Sequence, residues 1–216
     1  MKVSKLAIPM SNVQPNAQKA ALSRSDEILA VAQDLIQTRG YNGFSYRDIA
    51  AAIGIKSASI HYHFPTKGDL VQAVTARYCE RFSQALDSLI ADSARSRLTS
   101  YAALFRDTLV ERERLCMCGM LAGEVDTVPP EVKIEVARFF NEQQRWLTQV
   151  IHQGVIAGEL PAETDAKTWA TTFLAALEGA MLVSRGLADY RHFDAVTDSL
   201  LTALFAARLS ACQAGV

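Results

Sequence analysis

The sequence predicts an all-α protein of about nine helices, with an N-terminal three-helix helix-turn-helix domain followed by a larger helical domain. Three observations carry that expectation. The run Ser45 to Phe64 reads as two short helices bent around Gly54. From Thr66 onward apolar residues recur at helical spacing, and no stretch alternates as a strand does. At 216 residues the chain is long enough to bury a real core in one large or two small domains.

Through roughly Ala20 the chain mixes Gln, Asn, Ser and Pro with lysines and has no sustained period, so residues 1–20 read as a mobile arm. Residues 21–68 are assigned to the helix-turn-helix domain and 69–216 to the helical body. Within the motif, Ser45 and Asp48 form a cap that starts a helix, and Ile49, Ala52 and Ile53 give its narrow apolar stripe. Gly54 follows where a left-handed residue reverses the chain. Ile55 tucks into the angle between the helices and Ser57 is read as the next N-cap. Ile60 and Phe64, at i and i+4, make the buried side of a second helix that Pro65 ends.

Thr66 and Asp69 form a further cap, after which Leu70, Val71, Val74, Tyr78, Phe82, Leu86, Leu89 and Ile90 make one long stripe. Leu98, Tyr101, Ala102, Phe105 and Leu109 then share a helical face. A looser passage through Gly119 and Gly123 leads to a break at Pro129-Pro130. Glu131 to about Ala157 resumes with Val132, Val136, Phe139, Phe140, Trp146, Leu147, Val150 and Ile151. The last two helices, Asp165 to Ser184 and Phe193 to Leu209, combine large apolar residues with Ala170, Ala175, Ala176, Gly179 and Ala180. Small residues permit close helix approach, so this pair can form a four-helix bundle with a second copy of itself.

With Ile60 and Phe64 turned inward, Ala58, Ser59, His61 and Tyr62 point toward solvent. That arrangement suits a groove. Ser57, Ala58 and Ser59 keep the N-terminal end slim, and their hydroxyls, the Ala58 methyl and the Tyr62 ring can meet base edges in the major groove. His61, His63 and Lys67 are natural phosphate partners. His61 and His63 lie two apart on a helix and point to different sides, so no metal site is expected. Residues 1–70 hold eight Lys/Arg and five Asp/Glu, net +3, within a chain of formal net charge −1. A basic head on an acidic body fits binding of nucleic acid by one end.

These residues resemble the TetR family of transcriptional regulators. The likeness covers helix one (Asp26 to Arg39), the Gly40-Tyr41-Asn42-Gly43-Phe44-Ser45 connection, both motif helices, and His63-Phe64-Pro65-Thr66-Lys67-Gly68-Asp69-Leu70. It implies that Ser45 and Arg47 meet the DNA backbone or groove edge, that Ser57, Ser59 and Tyr62 are recognition-helix contacts, and that Lys67 contacts phosphate. His61 departs from the tyrosine usual in the family and makes any phosphate contact there sensitive to pH. The resemblance also implies dimerisation through the final two helices and a body that binds a small-molecule inducer. The expected partners are therefore a double-stranded, near-palindromic DNA operator, an inducer and a second copy of the chain, in a repressor released by its ligand.

Tyr101, Phe105, Met117, Met120, Trp146 and Phe173 are candidates for lining the pocket, with Arg106 or Glu124 orienting a polar ligand group, although each aromatic or Met side chain also reads as plain core. Cys79, Cys116, Cys118 and Cys212 form no disulfide framework. Arg112 and Arg114 lie one turn from Cys116 and Cys118, so a thiol sensor at those two positions is an alternative to a reversible ligand; the ordinary reading is that both are buried beside Met117 and Met120. An all-α enzyme or carrier is the rival class. No nucleophile elbow, phosphate loop, dinucleotide glycine pattern or zinc motif supports it, and no cofactor or metal is expected. Glu111, Glu113 and Glu124 have ordinary helix-surface spacing. No secretory h-region or membrane-length apolar run is present, so the expected location is the cytoplasm.

Overall fold

The computed structural model describes residues 23–89 and 91–213. The expected arm at 1–20 lies outside the described residues, which contain nine helices and no strand. The chain divides into two compact units. Among the described residues, a head unit takes those up to Phe82 together with Arg114–Phe139, and a body unit takes Ser83–Glu113 with those from Phe140 onward. This division follows packing, whereas the expected boundary at 68/69 follows the end of the motif.

In the head unit, α1 runs Arg24–Arg39, two residues ahead of the expected start, because Ser23 caps it by accepting from the Asp26 N–H. Ile28, Ala32 and Ile36 form its buried face. Gly40, at φ 78°, closes the helix with its N–H on the Ile36 carbonyl. α2 runs Tyr46–Ile53 behind a Ser45/Asp48 capping box, in which one Asp48 carboxylate oxygen accepts from both the Ser45 N–H and its hydroxyl, each at 2.7 Å. The buried face of α2 is Tyr46, Ile49 and Ala50, not the expected Ile49, Ala52 and Ile53; Ala52 is exposed and Ile53 half-buried. Tyr46 sets that phase. Its hydroxyl reaches the carbonyls of Phe64 (2.8 Å) and Thr66 (2.5 Å), across the motif from α2.

Gly54 adopts the left-handed conformation (φ 70°, ψ 36°) and turns the chain into α3, Ser57–His63. The N-cap of α3 is Lys56, not Ser57: the Lys56 carbonyl already accepts from the Ser59 N–H at 2.9 Å, so the first turn begins one residue early. Phe64 ends α3 in an extended conformation, as a residue before proline must. The Thr66/Asp69 box then starts α4, Lys67–Asp87, with Asp69 accepting from the Thr66 N–H and hydroxyl and returning its own N–H to Thr66 Oγ1. Leu70, Val71, Val74, Tyr78 and Phe82 of α4 are buried. The passage expected to be loose holds a short helix, α6, Met117–Gly123. α7 runs Pro130–Ile156, and its Phe139 ring lies 5.2 Å from Phe82 and 5.6 Å from Tyr78.

The end of α1 is tied to the chain before α6 by buried amides. Gln33 Nε2 donates to Gln37 Oε1 at 3.0 Å, and Gln37 Nε2 donates to the Leu115 carbonyl at 2.9 Å. Arg114 pairs with Asp34 at 2.7 Å alongside. In the body unit, α5 (Ala94–Arg112), α8 (Ala166–Leu187) and α9 (Arg191–Gln213) pack together. Asp165 caps α8 by accepting from the Lys167 and Thr168 N–H groups.

Tyr46 supplies a test of this packing. Burial first, then the Asp69 carboxylate and Tyr41, push its phenol up from 10.0 to about 12. As pH rises past 10 the unfolded chain loses this proton first, so the stabilisation by Tyr46 is complete below 10 and is lost between 10 and 12. Tyr46→Phe is expected to cost about 1 kcal/mol near neutral pH. Urea titrations across the alkaline window should show the gap between the two proteins shrinking, and a constant gap would contradict the assignment.

Candidate nucleic-acid interface

The motif helices present one continuous, largely exposed surface. Ile60 is the only residue of α3 that is fully buried. Ala58, Ser59, His61, Tyr62 and His63 are exposed, Tyr62 by 86%, and Ser57 is half-buried. An aromatic side chain this exposed gains nothing from the core and is available for contact. Ser45, Arg47, Ser57, His61 and Lys67 line a single open cleft of about 620 Å³, together with Phe44 and Tyr46. The structure thus brings five of the nine sequence-predicted residues around one concavity, with Ala58, Ser59, Tyr62 and His63 on the helix that borders it.

His61 is held in place. Its Nδ1 lies 3.1 Å from the Pro65 carbonyl, and its ring centroid is 4.6 Å from that of Tyr46. A carbonyl only accepts, so Nδ1 carries the proton in this contact and Nε2 is left for an outside partner. Tyr62 and His63 meet edge to face at 5.3 Å. Arg47 is exposed.

Lys67 has a further role that the sequence did not reveal. Its ammonium donates to the Phe44 carbonyl at 2.5 Å and sits 4.2 Å from the Phe44 ring centroid and 4.6 Å from that of Tyr41. Burial lowers its pKa, against the charges of Glu124 and Asp48. Lys67 therefore ties the start of α4 to the turn before α2, while lining the cleft.

Glu124 also lies elsewhere than expected. Its carboxylate accepts from the Asn42 backbone N–H at 3.0 Å, and Asn42 Nδ2 donates to Thr127 Oγ1 at 2.8 Å. It is a clasp on the α1–α2 turn, and it occupies the space a side chain on Gly40 would need. Arg106, the other candidate for a polar ligand group, makes a two-point ion pair with Asp194, Nε to Oδ1 at 2.5 Å and Nη2 to Oδ2 at 3.0 Å. Both partners are 82 or more residues apart in sequence, beyond the reach of any local spacing rule.

Of the pocket candidates, Tyr101, Phe105, Trp146 and Phe173 come together in the body unit. Tyr101 stacks on Trp146 at 5.3 Å and lies 5.3 Å from Phe105 and 6.2 Å from Phe173. Met117, Met120 and Glu124 belong to the head unit. Cys116 and Cys118 are both buried, with the Tyr78 hydroxyl 3.8 Å from the Cys116 sulfur. Arg114, expected to acidify them, is engaged with Asp34. Among the described residues no cluster of three or more His, Cys, Asp or Glu is placed to hold a metal ion, and no helix is long and apolar enough to cross a membrane.

Comparison with known proteins agrees with this geometry. Residues 28–74 match the family described as bacterial regulatory proteins, tetR family, and residues 94–200 match the tetracyclin repressor-like C-terminal domain. A crystal structure of a TetR-family transcriptional regulator from Agrobacterium tumefaciens superposes with a TM-score of 0.81 at 34% identity, covering 84% of this chain and 97% of that one. The chain belongs to the TetR family of transcriptional regulators. Among curated relatives, the HTH-type transcriptional repressor KstR2 of Mycolicibacterium smegmatis is 26% identical over 70% of this chain and 74% of its own. The transcriptional regulator AcuR of Cereibacter sphaeroides is 25% identical over 77% and 78% respectively. Membership of the TetR family makes the protein a regulator and not an enzyme, so Glu111, Glu113 and Glu124 need no acid–base role.

The two roles of Lys67 separate experimentally. A lysine that met only phosphate would leave the free protein's stability unchanged. Lys67→Ala is expected to lower it by about 1–2 kcal/mol, from the lost charge-assisted hydrogen bond and ring contacts. The shift in urea midpoint without DNA measures this.

Proposed function

We propose that this TetR-family protein is a homodimeric, cytoplasmic repressor that binds a near-palindromic duplex operator and is released by a small-molecule inducer. The observation that carries the reading is α3 itself, a helix anchored by Ile60 alone with Tyr62 standing 86% exposed beside a cleft rich in hydroxyls and cations. In this reading Ser57, Ala58, Ser59 and Tyr62 face base edges, while Ser45, Arg47, His61, His63 and Lys67 hold the phosphate backbone. The description of KstR2 as a repressor supports the sign of regulation.

A single motif reads few base pairs, so specificity calls for two heads about one helical turn, 34–36 Å, apart. The outer faces of α8 and α9 suit such a pairing. On α8, Ala175, Leu182, Val183, Gly186 and Leu187 are exposed, Leu182 by 60% and Leu187 by 61%. On α9 the exposed residues are the small Ala195, Ser199, Thr202, Ala203 and Ala206 together with Arg191 and Asp198. Large apolar residues on one helix beside a neighbour whose exposed residues are mostly small are what a close isologous bundle uses. For the inducer, the cluster of Tyr101, Phe105, Trp146 and Phe173 offers the aromatic wall. An inducer bound there lowers operator affinity only by its differential affinity for the two states.

Tyr62→Ala should cost on the order of 1–3 kcal/mol in operator binding and change the preferred sequence, whereas Arg47→Ala should weaken all sequences alike and reduce the salt slope by about 1. Fluorescence anisotropy on a duplex selected from a random pool, repeated across salt, reads both. Unchanged binding for both variants would remove the assignment. Leu182→Glu places a charge on the proposed pairing face and is expected to give a monomer by sedimentation velocity with strongly reduced operator affinity; a dimer with intact affinity would exclude α8 as the interface.

A further inference from the structure

The last turn of α4 and the part of α7 beyond Phe140, both within the body unit, border a cleft of about 270 Å³. Its apolar wall is the buried Leu86 and Trp146, the half-buried ring of the aromatic cluster. Ser83, Asp87, Glu142, Gln143, Arg145 and Gln149 supply the polar wall. Gln143 differs from the rest. It is only 1% exposed, and its Oε1 is buried and receives no hydrogen bond from any described residue. A buried amide oxygen without a donor costs free energy that is recovered when a donor reaches it.

The groups around that oxygen select the chemistry of the donor. Carboxylates only accept, so Asp87 and Glu142 favour the same kind of partner as Oε1 does. Asp87 is also the last residue of α4, where the helix dipole is negative and the final turn holds no basic residue. The Trp146 ring attracts cations, and the Arg97 guanidinium already lies 5.2 Å from its centroid. Arg145 is the single cation among the lining residues; it is exposed and also borders a second cleft, with Thr148 and Lys167. A ligand carboxylate would face Asp87 and Glu142 across a narrow space and offer Oε1 no proton. A neutral hydroxyl would reach Oε1 and leave both carboxylates uncompensated. An ammonium group serves all of them.

We propose that this cleft binds a small protonated amine with a flat apolar body, its ammonium donating to Gln143 Oε1 and the Asp87 carboxylate and its body lying on Leu86 and Trp146. As a statement of the inducer's chemical class, the proposal rests on the repressor reading above. As a statement about the site it does not. Trp146 carries the event inward: it stacks on Tyr101 at 5.3 Å, and Tyr101 in turn touches Phe105 and Phe173, so a body seated on Trp146 bears on rings from α5, α7 and α8.

Isothermal titration calorimetry of the full chain with phenethylamine tests the site, with 2-phenylethanol and 3-phenylpropionate as its neutral and anionic counterparts. Phenethylamine is expected to bind with a dissociation constant of about 1 mM or below, and each counterpart at least about tenfold more weakly. Asp87→Asn, a change at an exposed residue, should weaken the amine about tenfold. Gln143→Met keeps the side chain's size and removes the acceptor. It should weaken the amine about fivefold and leave the melting temperature of the free protein unchanged or raised, because no hydrogen bond to Oε1 is lost. A glutamine that served only the fold would give the reverse, a lower melting temperature with unaltered amine binding. In Trp169→Phe, which leaves Trp146 as the only tryptophan, the amine should change the fluorescence emission. A counterpart that binds as tightly as the amine, no amine binding at about 5 mM, unaltered amine binding in Asp87→Asn and Gln143→Met, or unchanged Trp146 emission would overturn the proposal. On a selected operator duplex, saturating amine should weaken binding about tenfold. Amine bound at this site with operator affinity unchanged would overturn the inducer half and leave the site standing, whereas failure of the amine-free protein to bind any duplex would overturn the repressor reading.

Discussion

The exposed face of α3 depends on one constraint: a seven-residue helix with a single buried side chain must be held by its ends. Helices this short are not stable alone, since nucleation costs more than so few hydrogen bonds return. Gly54 fixes the entry of α3 and Pro65 its exit, and the Tyr46 hydroxyl spans the exit by reaching the Phe64 and Thr66 carbonyls. Lys67 then closes the far side onto Phe44. Because the anchoring atoms belong to residues outside the reading face, Ser57, Ala58, Ser59 and Tyr62 contribute little to folding. Side chains can therefore change at those positions without loss of the fold, as the proposed base-reading role requires.

The same logic of polar anchoring recurs deeper in the head unit. Gln33 and Gln37 are buried at 3% and 0% exposure; the Gln37 amide oxygen accepts from Gln33 and its N–H donates to the Leu115 carbonyl. A buried amide that loses its partner costs about 1–3 kcal/mol. The segment from Arg114 to Thr127 is therefore bound to α1 and its turn by bonds that break sharply and do not stretch: Gln37 to Leu115, Arg114 to Asp34, Glu124 to Asn42. Such a contact set favours two discrete arrangements over a continuum, and discrete arrangements are what a ligand needs in order to shift a population.

What the sequence disclosed about this molecule was local. The Ser45/Asp48 and Thr66/Asp69 boxes, the left-handed Gly54 and the Pro65 stop each depend on residues within one turn of each other, and each stands where periodicity and capping rules place it. The apolar phase of α2 was misplaced, with Ala52 expected inside where Ala50 is, because a distant hydrogen bond from Tyr46 decides the rotation of that short helix. α6 was hidden for a similar reason. Its seven residues include Gly119 and Gly123, and its stability comes from burying Met117, Cys118 and Leu121 and not from propensity. Glu124 and Arg106 found partners that no spacing pattern announces, whereas the exposed face of α3 was legible because the same two residues, Ile60 and Phe64, define both what is buried and what is not.

The body aromatics bear on the proposed induction. Tyr101 and Phe173 are fully buried and Phe105 nearly so, and Tyr101 touches Phe105, Trp146 and Phe173 at ring-contact distances. These side chains fill space more than they line it. On the proposed reading, an inducer that enters between them must separate rings whose pairwise contacts are worth about 0.5–1.5 kcal/mol each. Its apparent affinity is then its intrinsic affinity reduced by the fraction of molecules in which the cluster is open. Trp146 is the half-buried member, and the Arg97 guanidinium lies 5.2 Å from its ring centroid. The ring that must move first is thus the one already nearest solvent, so substitutions that free Trp146 should tighten inducer binding by raising the open fraction without adding any contact to the ligand.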